Sequence, residues 1–185
     1  SVGKTSVTQA VMAGLSRAGR AHSSVKSYNN HIGVPLTLAR MARDTERAVF
    51  EIGMNHADEI RPLARMVRPH AVVVTTVGPV HTENFPDGEA GVARAKAEIF
   101  EGLEPGGVAI LNADNQWFGL LKDAARSVGA TVRTFGTGED CDARLTGFQV
   151  PGPHAVVGAR LHGRTLEFPI LQTGGHWGLN SMAVL

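Results

Sequence analysis

A chain of 185 residues, 43% hydrophobic and 19% charged, has the composition of a globular protein and is long enough for one domain with a substantial core, or a domain with a small appendage. A net charge of +1 provides no basic field to hold nucleic acid, and a single cysteine, Cys141, excludes an internal disulfide framework and a cysteine-based zinc site. The longest apolar runs, such as AVVV at 71–74, are too short to span a bilayer, no signal peptide is visible, and the lone cysteine suits a reducing compartment.

The chain opens on SVGKTS, the second half of the phosphate-loop pattern G-x-x-x-x-G-K-[ST], whose first glycine would fall upstream of residue 1. Behind it, Val7, Val11, Leu15 and Ala18 recur at helical spacing, and Gly19 ends that helix. A polar stretch, SYNNHIGVP at 27–35, leads to a predicted helix LTLARMAR with Pro35 in its first turn. RAVFEIG at 47–53 is strand-like, and ADEIRPLARMV at 57–67 predicts a short helix. HAVVVTTVG at 70–78 is a continuous apolar run, as expected of a strand covered on both faces. GEAGVARAKAEIFEGL at 88–103 predicts a helix, GVAILNAD a buried strand, QWFGLLKDAARSVG a helix and TVRTFG a strand.

This alternation predicts an α/β fold with a mostly parallel sheet and flanking helices. From about residue 142 the pattern changes to short strand-like pieces between Gly and Pro turns, which predicts a small antiparallel strand group. The expected division is an α/β core over 1–141, an antiparallel extension over 142–173 and the start of a helix over 174–185. A first residue that is not methionine and a last helix that stops after NSMAVL give the expectation that both ends are cuts through a larger protein.

Four places could carry chemistry. In a phosphate loop, free N–H groups and the dipole at the start of the first helix attract phosphate, Lys4 contacts the β- and γ-phosphates and Thr5 holds Mg²⁺. The same three letters also occur as an ordinary first helical turn. Glu51 closes the strand-like AVFE, where ligands gather in α/β sheets, and is either a Mg²⁺ ligand or an exposed acid. Lys96 is four residues from both Val92 and Phe100 and so lies along the apolar stripe of its helix, either buried or with its head reaching water past its stem. His81, opening HTENF, is a metal or phosphate contact or a plain loop histidine. GTG at 136–138 opens no helix and reads as a turn, and LNAD at 111–114 lacks the lysine of a guanine-reading motif, so no GTP specificity is expected.

SVGKTS, YNNHIGVPLTLAR, FEIGMNHADEI, VGPVHTENF, GVARAKAEIFEGL, LNADN and GGHWGLNSMAVL span nearly the whole chain, and in this order they resemble the central, ATP-binding domain of the Mur ligase family. The resemblance is strongest to the branch that adds D-Ala-D-Ala to UDP-N-acetylmuramoyl-tripeptide in peptidoglycan precursor synthesis. It implies a cytoplasmic, ATP- and Mg²⁺-dependent carbon–nitrogen ligase of three domains: one binds the UDP-sugar, the central one binds ATP, and the third closes over the site. It implies that the N- and C-terminal domains are missing here, that the isolated fragment is inactive, and that neither nucleic acid nor a membrane span is involved. Residue by residue, it makes Ser1, Val2, Gly3, Lys4, Thr5 and Ser6 the phosphate loop. Lys4, Glu51, His81 and Lys96 become the catalytic set, and Thr5, Glu51, His81 and Lys96 the metal set, with Lys96 carbamylated. Asn180 falls beside adenine, and Asn29 and Asn30 on the substrate side. At position 177 a tryptophan stands where many members have asparagine. Another ligase of the superfamily, such as a cyanophycin synthetase or a different Mur step, and a non-catalytic phosphate-loop module are the alternatives.

Overall fold

The computed structural model describes residues 3–80 and 82–185. Its larger sheet has six strands in the order β3-β4-β5-β6-β7-β8, and a separate parallel pair is formed by β1 (Ala21–Ser23) and β2 (Arg47–Val49). β3 (Ala71–Val74), β4 (Val108–Asn112), β5 (Thr131–Gly136) and β6 (Ala143–Gln149) run parallel. β7 (Ala155–Leu161) and β8 (Arg164–Ile170) are antiparallel to their neighbours. The expected α/β class and its antiparallel portion are both present.

The unbroken apolar runs of β3 and β4 are explained by cover on both faces. Val72, Val74, Ala109 and Leu111 join one buried cluster with Val92, Phe100 and Leu121, while Val73 and Ile110 between them pack against a second cluster around Phe135, Val157 and Met182. Alternate residues of a strand point to opposite faces, so both sets must be apolar. The first cluster is roofed by α4 (Glu89–Ala97) and α5 (Phe118–Ser127), the second by α6 (Gly175–Met182). α1 (Lys4–Ala18) packs on β1 and β2, and of its predicted stripe only Val7 is buried.

Four elements differ from expectation, each for a local reason. The strand predicted over 47–53 ends at Val49, because Gly53 donates its N–H to the Asn29 carbonyl (2.8 Å) instead of a ladder. α2 (Gly33–Ala39) starts before Pro35, because the Asn30 side-chain oxygen accepts the N–H groups of Ile32 (3.1 Å) and Gly33 (2.9 Å). α3 (Ile60–Val67) starts three residues late, after Asp58, whose φ of 65° is left-handed. The helix predicted over 88–103 tightens after Ala97 into a 3₁₀ segment, Glu98–Gly102. β1 carries no sequence signal: Ala-His-Ser has neither alternation nor β-branched residues.

Candidate functional site

α1 begins at Gly3, whose φ of 93° lies in the left-handed region that favours glycine. Among the described residues no N-cap side chain bonds to this helix and its first turn holds no acid, so the dipole and the first-turn N–H groups make its start favourable to an anion. Gly3 is also closely approached: a β-carbon there would strike the side-chain amide of Asn180. Asn180, buried in α6, is thereby brought from the far end of the chain onto the first turn of α1. Ser1 and Val2 lie outside the described residues.

Behind this turn sits Glu51, only 6% exposed. Thr5 donates its hydroxyl to Oε2 (2.8 Å), while Ser27 (2.8 Å) and the Asn29 amide (2.8 Å) donate to Oε1. The Thr5 and Ser27 hydroxyl oxygens lie 3.4 Å apart. The structure thus joins Thr5, Asn29 and Glu51 from three separate segments. Ser27 is a member that sequence reasoning missed. A serine in a polar stretch carries no signal of its own, and its place next to the YNN segment was the sole available hint.

One carboxylate flanked by hydroxyl oxygens is a donor set that suits Mg²⁺, which takes one or two carboxylates and completes its shell with phosphate and water oxygens. Among the described residues, no three His, Cys, Asp or Glu side chains gather as a metal cluster. His81 lies outside the described residues.

A cavity of about 420 Å³ opens beside the first turn of α1, with Lys4, Asn29, Asn30, Met54, Glu59 and Lys96 on its walls. Lys96 lies between Val92 and Phe100, each 1% exposed, as the stripe predicted. Burial, reinforced by the charge of Lys4, pushes its amine down to about 8. Two cationic groups sharing one cavity with a helix N-terminus favour an anion between them.

LNADN has a different role from nucleotide reading. Asn112 donates to the Thr75 carbonyl (3.1 Å), Asn115 to the Val77 carbonyl (2.8 Å) and the Thr76 hydroxyl (3.0 Å), and Asp114 accepts the Thr137 N–H (2.9 Å). The motif ties together the loops leaving β3 and β5, and GTG is the turn it grips. No described helix is long and apolar enough to cross a membrane.

A GKT turn opening a helix, a buried carboxylate bonded to its threonine, and a mostly parallel sheet define an α/β domain of the phosphate-loop kind. The chain belongs to the Mur ligase family, a family of ATP-dependent carbon–nitrogen ligases: the Mur ligase middle domain model matches residues 1–185. The chain is 36% identical over 185 residues to the UDP-N-acetylmuramoyl-tripeptide–D-alanyl-D-alanine ligase of Bacillus subtilis, covering 99% of this chain and 38% of that protein. MurF of Acinetobacter baumannii superposes with a TM-score of 0.92 at 28% identity, over 100% of this chain and 40% of that one. MurF of Thermotoga maritima in complex with ADP, 18% identical, shares the fold at a TM-score of 0.87, over 100% of this chain and 42% of that one. The chain therefore spans about two fifths of the length of these proteins.

Proposed function

We propose that the chain is the ATP-binding domain of a ligase that joins D-Ala-D-Ala to UDP-N-acetylmuramoyl-tripeptide. The reading rests above all on one observation, the convergence of Thr5, Ser27 and Asn29 on buried Glu51 beside a cavity that holds Lys4 and Lys96. In this reading a tripeptide carboxylate oxygen attacks the γ-phosphorus of ATP, the bond to the bridging oxygen breaks and ADP leaves. The dipeptide amine then attacks the acyl carbon, inorganic phosphate departs, and the amine loses its proton to the medium.

The residues of this chain divide the work. The first turn of α1 and Lys4 hold the phosphates and offset the charge that accumulates as carboxylate and γ-phosphate approach. Asn180, seated on Gly3, borders the nucleoside end. Asn29 and Asn30 line the acyl-substrate side. Thr5 and Glu51 would hold Mg²⁺, with His81 at a second metal position, and bound Mg²⁺ neutralises phosphate charge. An amine with its pKa near 8 is partly neutral at cytoplasmic pH, so Lys96 can add CO₂. Its nitrogen would bond to the carbon, one proton would leave, and the resulting carbamate would offer an oxygen donor to a metal ion. Domains on either side supply the UDP-sugar and dipeptide contacts.

The test is ADP release by the full-length enzyme containing this chain. We expect one ADP and one phosphate per peptide formed, dependent on both UDP-N-acetylmuramoyl-tripeptide and D-Ala-D-Ala. Turnover with a single amino acid in place of the dipeptide, or none with these substrates, overturns the reading.

A further inference from the structure

Glu98 is 7% exposed and lies two residues beyond Lys96, where α4 passes into the 3₁₀ segment. Its Oε1 accepts the Asp58 N–H at 2.7 Å and its Oε2 the Arg61 N–H at 3.1 Å. Both donors belong to the approach and first turn of α3, whose N–H groups have no partner within the helix, and α3 has no side-chain cap of its own. A carboxylate there satisfies those groups and complements the positive end of the α3 dipole.

A local serine or aspartate would cap the helix as well. What a side chain from 37 and 40 residues away adds is a fixed separation between two segments. One segment carries Lys96. The other carries Asn55, Asp58, Glu59 and Ile60, which line the same cavity as Lys96. Glu98 itself stands outside that cavity, on the wall of a second one of about 400 Å³. The Arg61 guanidinium turns to Glu101 and Asp58, which leaves the Glu98 carboxylate bonded to backbone. Burying a carboxylate costs free energy unless its oxygens are hydrogen-bonded, and both oxygens here are engaged in this tie.

We propose that Glu98 is a positioning residue, which sets the width of the cavity by locking its α3 wall to the Lys96 segment and so orients the acyl substrate. The acyl-substrate part rests on the function proposed above. Of the ATP contacts proposed above, Lys4 shares the cavity, but neither it nor Asn180 belongs to the two segments that the tie joins.

The experiment has two arms. In the full-length enzyme, Glu98→Ala is expected to raise KM for UDP-N-acetylmuramoyl-tripeptide about tenfold while KM for ATP stays within about twofold. Glu98→Gln, which keeps one acceptor oxygen, is expected to fall between. A purely structural role would lower the active fraction, reducing kcat with both KM values unchanged. That result, or an equal rise in both KM values, overturns the proposal. If the alanine variant does not fold, the glutamine variant decides. In the second arm, amide hydrogen exchange on this chain is expected to show Asp58 and Arg61 protected in the wild type, and one of the two exchanging early in the glutamine variant, whose NH₂ group replaces one acceptor oxygen. Unchanged protection overturns the tie whether or not the enzyme has the proposed activity. Absent ligation with lost protection removes the function while leaving the tie standing.

Discussion

At the scale of single residues, Glu51 and Lys96 make opposite demands on stability. Glu51 is buried with three donors on its oxygens, so Glu51→Ala is expected to cost about 1–3 kcal/mol as well as abolish ligation, measured by urea melts and ADP release. Lys4→Ala is expected to abolish ligation with little loss of stability, and to raise the Lys96 pKa by removing a like charge, as read by NMR titration. The folded pKa of Lys96, about 8, lies below its ordinary 10.5, so between those values the unfolded chain binds more protons and stability rises with pH. Below pH 8 the penalty is fully present, at about 3 kcal/mol. Lys96→Met is therefore expected to be more stable than wild type at pH 7, with the difference shrinking from pH 8 to pH 10.5, in melts across that range. The place of Lys96 was legible because helical spacing alone puts it between Val92 and Phe100. The Glu51 network was not, since its three donors come from two segments 22 to 46 residues away and no period connects them.

At the scale of elements, the contact between α3 and the 3₁₀ segment carries the cavity wall. Gly102 packs so closely that a β-carbon would strike the backbone of Ala64. Gly102→Ala is expected to destabilise by about 1–3 kcal/mol through overpacking, seen as a lowered midpoint in urea, and to displace the wall that Glu98 holds. The buried strands β3 and β4 could be read from sequence because cover on both faces demands unbroken apolar runs. The starts of α2 and α3 could not. Asn30 and Glu98 decide them, through a side-chain oxygen and through bonds reaching 37 and 40 residues along the chain.

At the scale of the whole molecule, the proposed nucleotide site draws on segments far apart in the chain, with Asn180 resting on Gly3. A ligand that bridges α1 and α6 should therefore stabilise the fold as a unit. Mg²⁺-ATP at about ten times its Kd is expected to contribute about 1.4 kcal/mol and raise Tm by about 3–6 °C, an effect lost in Lys4→Ala and measurable by calorimetry. The sheet also has a direction in time. Ala71 must find Val108, and Ala21 must find Arg47, across long stretches of chain, whereas Leu161 meets Arg164 around the two-residue turn His162–Gly163, whose φ angles of 49° and 78° match a hairpin. Loop-closure entropy grows with the length enclosed, so the β7–β8 hairpin should zip in microseconds and the parallel strands should follow. On the ribosome the order of synthesis runs the other way: the slow parallel strands emerge before the quick hairpin. During translation the faces of β3 and β4 that carry Val73 and Ile110 wait uncovered for Val157 and Met182, and in that interval this domain is most exposed to aggregation.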